Sequence, residues 1–195
     1  MDQNPAALLG EKDGDCAPDA RPGACDHSRL IFKPQRSSPR LLKISTVIRG
    51  LHHVSRTVAD IDKSIHFYGS LLGLPVALDE ELQGKELELV VGLENARLRI
   101  VEFTLGDGQF VEVLQYYSPP GRPILHEPTP ADVGASHIAL VVDDIHSMHT
   151  RLKRAGVRFT SIPTRITAGF FKGAWTTYCF DPDGLVIELW QPVPG

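Results

Sequence analysis

The sequence has little of several features that would assign it to a specialised class of protein. Only three of its 195 residues are cysteine, too few and too scattered for a disulfide framework or a Cys-x-x-Cys zinc site. No apolar run approaches the roughly 20 residues that cross a bilayer, and no charged start precedes an apolar segment as in a signal peptide. Because Lys and Arg number 20 against 24 Asp and Glu, no positive field attracts nucleic acid. We therefore expect a cytoplasmic protein that binds a small molecule and neither nucleic acid nor a membrane.

The composition is otherwise that of a globular protein, with 42% hydrophobic and 23% charged residues. Residues 1–45 are rich in Pro, Gly, Asp and Ala and show no sustained period, which is typical of a flexible extension. Beyond them, short alternating and amphipathic segments follow one another. We predict an N-terminal extension at 1–45, a first module at 46–118, a connector at 119–134 and a second module at 135–195.

The two modules resemble each other in sequence, which indicates an internal duplication. "HHVSRTVADI" from His52 aligns with "SHIALVVDDI" from Ser136, and "GDGQFVEVLQ" aligns with "PDGLVIELWQ". Each first segment alternates like a strand and leads into a helical pattern that ends at Gly73 or Gly156. Each second segment begins at a tight turn and continues as a strand. We predict an α+β protein in which each module runs strand-helix-strand-strand-strand.

This duplication places two histidines and two glutamates at equivalent positions. His53 aligns with His137 in the first strands, and Glu112 aligns with Glu188 in the last strands. Apolar neighbours flank both glutamates, and an ionised carboxylate in such surroundings is costly without a cation. One divalent ion shared by both pairs would supply it, and a set of two His and two Glu suits Zn, Mn, Fe, Co or Ni. We predict a metal site with these four ligands.

The first strand followed by "DIDKSIHFYGSLLGL", together with "DPDGLVIELWQP" in the second module, resembles the vicinal oxygen chelate superfamily. This superfamily includes glyoxalase I, methylmalonyl-CoA epimerase, extradiol dioxygenases and bleomycin-resistance proteins. The resemblance covers residues 48–192 and implies paired βαβββ modules that form a cupped mixed sheet around one metal ion. Members pair their modules within one chain or across a dimer, and we expect a homodimer here.

The resemblance also implies a reaction. We expect a metal-dependent isomerase, epimerase or glyoxalase-like lyase that acts on a hydroxy-carbonyl or dicarbonyl substrate through an enediolate. A metal-bound glutamate can serve as the base in such relatives, so Glu112 and Glu188 are the candidate catalytic residues. Two alternatives are an iron-dependent dioxygenase, which needs only one carboxylate and leaves Glu112 without a role, and a metal-free protein that sequesters an antibiotic. All four candidate ligands are present, which argues against sequestration.

Counting back from the hairpin turns predicts the side chains around the metal. The count places Thr177 opposite Glu188 and Val101 opposite Glu112. Arg99 would then hold an anionic substrate group, and the alternative is a solvated position at the sheet edge. The aromatic residues would line a pocket, and the alternative is that they only pack within the sheet. The predicted substrate-binding residues are Arg99, Phe103, Tyr116, Trp175, Thr177 and Trp190.

Three residues fit the pattern less well. His52 aligns with Ser136 and therefore has no histidine counterpart. Glu102 falls on the opposite face by the same count, and we predict no catalytic role for it. Arg56 stands where the superfamily usually has an apolar residue against the helix. It either extends its charged end to the edge of the core or lies on the other face.

Overall fold

The computed structural model describes residues 48–123 and 129–194. The predicted extension at 1–45, with Cys16 and Cys25, lies outside the described residues. The first module contains β1 (His53–Thr57), α1 (Ile61–Ser64), a π-helical segment (Ile65–Leu71), β2 (Val76–Gln83), α2 (Lys85–Val91), β3 (Arg97–Gly106) and β4 (Gln109–Ser118). The second contains β5 (His137–Val141), α3 (Ile145–Arg154), β6 (Thr164–Arg165), β7 (Trp175–Phe180) and β8 (Val186–Gln191).

Each module forms its own four-stranded mixed sheet. The strand order is β1-β4-β3-β2 in the first sheet and β5-β8-β7-β6 in the second. In both, the first strand of the module is parallel to the last, and the other pairs are antiparallel. The α+β class and the duplicated strand-helix-strand-strand-strand order are therefore confirmed, with α2 as an additional helix in the first module. None of the helices in the described ranges is both long and apolar enough to cross a membrane.

The helices that follow the first strands begin in the same way in both modules. The Asp60 carboxylate accepts a hydrogen bond from the backbone N–H of Lys63, and the Asp144 carboxylate accepts one from that of Ser147. An aspartate at this position satisfies a backbone donor that has no partner within the helix. The repeated DI sequence at these positions thus fixes the start of each helix beside its sheet.

The helix of the first module widens after α1. The backbone N–H of Leu72 donates to the carbonyl of Phe67, five residues earlier, as in a π-helix. Both Phe67 and Tyr68 are buried in this wider turn. At Gly69 a Cβ atom would lie 3.5 Å from the ring of Phe103, an ordinary contact distance. The widened turn thus lies against β3.

One hydrophobic core joins the two modules. It is built from the helix-covered faces of both sheets. Its strand residues are Val101, Phe103, Val111 and Val113 in the first sheet and Ile138, Leu140, Cys179, Ile187 and Leu189 in the second. Because neighbouring residues of a strand point to opposite faces, the alternate side chains of both sheets lie on faces turned away from this core.

Two buried polar contacts also cross between the modules. Arg56 is 7% exposed and donates from Nη2 to the carbonyl of Val186 at 3.0 Å. Its side chain therefore lies on the helix-covered face, as assigned from the alternation, and is buried there. The Tyr68 hydroxyl donates to Oδ2 of Asp181 at 2.8 Å. These contacts and the shared core hold the modules together.

Candidate metal centre

The first His–Glu pair lies across two parallel strands. β1 and β4 pair in register with Ser55 beside Glu112. Nε2 of His53 lies 3.9 Å from Oε1 of Glu112, whose side chain is only 9% exposed. Nδ1 of His53 lies 2.9 Å from Nδ1 of His52, so one ring donates a hydrogen bond to the other. His52 therefore holds one nitrogen of His53 and leaves the other facing the carboxylate, as partners of metal-binding histidines commonly do.

The second pair has the same arrangement in the second module. Nε2 of His137 lies 3.0 Å from Oε2 of Glu188. The other carboxylate oxygen accepts a 2.6 Å hydrogen bond from the Thr176 hydroxyl, which fixes its orientation. The ring of Tyr178 lies 5.3 Å from that of His137, between ring centres. Burial, with a contribution from the charge of Glu188, raises the pKa of Tyr178, so this phenol stays protonated at neutral pH.

The two pairs do not meet within one chain. Among the described residues, one group of three or more His, Cys, Asp or Glu has all its ligand atoms within 4.8 Å of one another, namely His52, His53 and Glu102. The second pair does not join this group. Both pairs lie on the sheet faces turned away from the shared core. The expectation that all four ligands share one ion is therefore not met by a single chain.

Glu102 lies on the same face as the candidate metal centre, so the prediction that it lies on the opposite face is wrong. Glu102 is paired directly with Glu112 across β3 and β4, and directly paired residues share a face of the sheet. Tyr178 is the equivalent residue of the second module, since it is paired directly with Glu188. A correct count across the hairpins would have revealed both residues.

The predicted hairpin register is wrong by one residue. Tyr178, not Thr177, lies opposite Glu188, and Glu102, not Val101, lies opposite Glu112. A shift of one residue moves every side chain of a strand to the other face. The predicted substrate-binding residues that consequently lie on the helix-covered faces are Arg99, Phe103, Trp175 and Thr177.

These four residues have contacts on the helix-covered faces. The guanidinium of Arg99 donates to the carboxylates of Asp79 and Asp62 at 2.7–2.9 Å. Phe103 packs 5.6 Å from the ring of Tyr68, and Trp175 packs 4.7 Å from that of His146. Thr177 donates to the backbone carbonyl of Ser161 in the loop before β6. Each of them therefore has a structural role away from the His–Glu pairs.

Two predicted residues do lie on the same faces as the pairs. Tyr116 follows Glu112 by four residues on β4, and Trp190 follows Glu188 by two on β8. The exposed ring of Phe171 packs against Trp190, with 5.1 Å between ring centres. A substrate contact for Tyr116 and Trp190 stays a prediction.

A cavity of about 400 Å³ adjoins the second pair. It is lined by His137, Tyr178, Leu185 and Val186 and by most of the residues from Thr129 to Ser136, which precede β5. A larger cleft of about 860 Å³ is lined by Lys63, His66 and Asp183, among others, and contains neither pair. Because the chemistry of a metal site depends on the His and Glu side chains, the smaller cavity is the better candidate for substrate.

Comparison with known proteins agrees with this geometry. Residues 50–189 match the sequence profile of the glyoxalase/bleomycin resistance protein/dioxygenase superfamily. A 2-epi-5-epi-valiolone epimerase of Actinomyces is 30% identical over 143 residues, covering 71% of this chain and 77% of that protein. A probable lactoylglutathione lyase of Vibrio parahaemolyticus is 32% identical over 145 residues, covering 71% and 88%.

Solved structures show the same fold. A glyoxalase family protein of Bacillus cereus aligns with a TM-score of 0.66 at 20% identity, covering 78% of this chain and 99% of that one. A glyoxalase/dioxygenase of Nostoc punctiforme aligns with a TM-score of 0.52 at 24% identity, covering 81% and 100%. The chain belongs to the glyoxalase/bleomycin resistance protein/dioxygenase superfamily.

Proposed function

We propose that this protein is a metal-dependent isomerase or epimerase, or a glyoxalase-like lyase, that acts on a hydroxy-carbonyl or dicarbonyl substrate through an enediolate. The observation that carries the proposal is the pair of equivalent His–Glu contacts, His53 with Glu112 and His137 with Glu188. The relatives named epimerase and probable lactoylglutathione lyase support this class of reaction.

The donor set fits one divalent ion. Two imidazole nitrogens and two carboxylates suit Zn, Mn, Fe, Co or Ni. Each imidazole already faces a buried carboxylate, at 3.9 Å in the first pair and 3.0 Å in the second. Once bound, the ion would act as a Lewis acid that stabilises negative charge on two neighbouring substrate oxygens. The side chains of His52 and Thr176 would hold a ligand of each pair in place.

Carboxylates of the chain would move the proton. A general base needs hydrogen-bond reach of the carbon-bound proton that it removes. Glu112 and Glu188 are the bases proposed from the sequence, and Glu102 is a third candidate because it is paired directly with Glu112. Glu102 is not one of the four proposed ligands, although its carboxylate lies within 4.8 Å of ring nitrogens of His52 and His53. As a base outside this set of four, it would accept a proton while all four proposed ligands stay on the ion.

We further propose that two copies of the chain complete each site. The two pairs lie on faces turned away from the shared core, so the first pair of one copy would meet the second pair of its partner. A two-fold symmetric dimer built in this way has two equivalent centres. The predicted homodimer would then be required for activity. A cytoplasmic location stays a prediction from the low cysteine content.

Metal content and solvent exchange test the proposed function. Protein purified without a metal-binding tag should contain about one divalent ion per chain, and it should incorporate solvent deuterium next to the carbonyl of an α-hydroxy ketone. Glu112→Gln should lose both metal and exchange, whereas Glu102→Gln should keep the metal and lose exchange. Bound iron with oxygen consumption would favour the dioxygenase, and metal-free protein that binds an antibiotic would favour sequestration.

A further inference from the structure

Charged residues of the strands are divided between the two sheet faces. The register assigns each of them to a face. The arginines of the described strands lie on the helix-covered faces and are Arg56, Arg97, Arg99 and Arg165. The glutamates on the faces of the metal centre are Glu80, Glu102, Glu112 and Glu188. The described strands contain no lysine, so they contribute no Lys or Arg to those faces.

Three of these arginines are engaged where they lie. Arg99 donates to the carboxylates of Asp79 and Asp62, with a side chain that is 24% exposed. Arg56 is buried and donates to a backbone carbonyl of the second module. The guanidinium of Arg97 lies over the ring of Tyr117 at 4.9 Å. Turning any of them toward the metal centre would require loss of these contacts.

The cavity beside the second pair likewise has no Lys or Arg among its lining residues. Asp132 is the acidic side chain among its lining residues, and apolar side chains such as Leu185 and Val186 line it as well. The hydroxyls of Thr176 and Tyr178 lie on the same face as Glu188. This surface offers hydrogen bonds and apolar contact to a substrate, and its carboxylates repel an anion.

We infer that the substrate is an uncharged polyhydroxylated ketone or aldehyde, and that phosphorylated or carboxylate-bearing conjugates are excluded. This inference rests on the proposed function. The carboxylates of Glu112 and Glu188 balance the charge of one divalent ion, so Glu102 and Glu80 leave the site negative. A neutral polyol donates hydrogen bonds from its hydroxyls to Glu102 and adds no charge to the site. A phosphate or carboxylate brings further negative charge, with no strand cation on this face to neutralise it.

Binding of a matched pair of probes tests the inference. Dihydroxyacetone and dihydroxyacetone phosphate differ by one phosphate and share the hydroxy-ketone that would meet the ion. Their dissociation constants from the Mn²⁺-loaded protein can be measured from the paramagnetic relaxation of the probe protons. We expect the phosphorylated probe to bind at least about tenfold more weakly at low salt, with the difference shrinking as salt is added. S-lactoylglutathione, which carries carboxylates, should bind weakly for the same reason.

Charge reversal on β2 provides a variant and a matched control. Glu80 faces the metal centre, whereas its exposed neighbour Glu81 lies on the helix-covered face opposite Arg99. Glu80→Lys should tighten binding of the phosphorylated probe several-fold and change that of dihydroxyacetone by less than about twofold. Glu81→Lys should change neither. An equal effect of the two variants contradicts the inference.

The outcomes separate this inference from the proposed function. Protein that binds no divalent ion overturns both. Protein that binds Mn²⁺ and prefers the phosphorylated probe or S-lactoylglutathione overturns the inference and leaves the proposed function standing. Loaded protein that does not bind dihydroxyacetone also overturns the inference.

Discussion

Tyr68 and Asp181 connect the two modules through a buried hydrogen bond. The Tyr68 hydroxyl donates to Oδ2 of Asp181 at 2.8 Å, and the two residues are 0% and 5% exposed. The other oxygen of Asp181 accepts from the backbone N–H groups of Asp183 and Leu185. Burial raises the pKa of both the phenol and the carboxyl group. This contact links the helix of one module to the β7–β8 hairpin of the other.

Tyr68→Phe should destabilise the whole protein. The variant leaves a buried carboxylate oxygen without its donor, which costs about 1–3 kcal/mol in the free energy of unfolding. Urea unfolding followed by circular dichroism would measure it. Tyr117→Phe is the control, because it removes a hydroxyl from a partly buried ring and keeps the ring beneath Arg97. Equal stability of Tyr68→Phe and wild type would show that the hydrogen bond contributes nothing.

Asp181 should make stability fall as pH rises. Burial raises its pKa above the ordinary value of 3.8 in the folded protein. Well below pH 3.8 the Asp181 carboxyl group is protonated in both the folded and the unfolded state. As pH rises, the unfolded state loses this proton first, because the folded state holds it more tightly. The wild type should therefore lose stability relative to Asp181→Asn as pH rises above about 4. Unfolding free energies of both proteins across this range would measure the difference.

Asp144→Asn is a control for which the stability difference from wild type should change with pH in the opposite direction. The backbone N–H of Ser147 lowers the pKa of Asp144 at the start of α3. A lowered pKa contributes stability above the unfolded value, and this contribution is lost as pH falls. The wild type should therefore gain stability relative to Asp144→Asn as pH rises through the acid range. Parallel profiles for wild type and Asp181→Asn would contradict the assignment for Asp181.

Thr176→Val should weaken metal binding. The Thr176 hydroxyl donates to Glu188 at 2.6 Å, and loss of a hydrogen bond to a metal ligand typically costs 10–100-fold in affinity, so we expect about tenfold or more. Its neighbour Thr177 points to the helix-covered face and donates to the carbonyl of Ser161. Thr177→Val should therefore reduce stability and leave metal affinity unchanged. Titration of metal-free protein with Zn²⁺ in a calorimeter would compare the variants, and equal affinities would argue against the second pair as a metal site.

Hybrid dimers should regain activity from two inactive variants. If each centre joins the first pair of one copy to the second pair of the other, a hybrid of Glu112→Gln and Glu188→Gln keeps one intact centre. Its deuterium-exchange activity should be about half that of the wild-type dimer. A hybrid of His53→Ala and Glu112→Gln has a defect in both centres and should stay inactive. Inactivity of the first hybrid would place each centre within a single chain. The hybrids can be isolated by co-expression with two different tags.

The duplication was the part of the structure that the sequence predicted best. Strand alternation placed His53 and His137 on the faces opposite the helices, and aligned positions placed Glu112 and Glu188 in the neighbouring strands. Local patterns suffice here because each strand is short and regular. The helix starts at Asp60 and Asp144 follow from the same local signals.

Partners across the hairpins were harder to predict, because one residue in a turn decides the face of a whole strand. Residues 181–185 form a loop of odd length between β7 and β8, with Phe180 paired to Val186. In the first hairpin, an irregularity between Thr104 and Gly106 absorbs an additional residue. Neither feature follows from turn composition. Arg99 and Glu102 therefore exchanged faces between prediction and structure.

Contacts between the modules were beyond the reach of the sequence. Tyr68 and Asp181 are 113 positions apart, and no spacing rule connects them. The separation of the two His–Glu pairs likewise depends on how the helix-covered faces pack together. The sequence left open whether one chain or two complete the site, because both arrangements use the same strands.

The π-helical segment Ile65–Leu71 makes the position of Tyr68 sensitive to chain length. Deletion of a single residue upstream of Tyr68 within this segment could restore ordinary α-helical spacing, but it would rotate the following side chains by about 100° around the helix axis. The phenol would then turn away from Asp181. Relatives with one residue fewer at this point would need another donor for that aspartate or an apolar residue in its place. Insertions and deletions should therefore be confined to segments other than this helix and the β7–β8 loop, because Asp181 and Asp183 of that loop contact the first module.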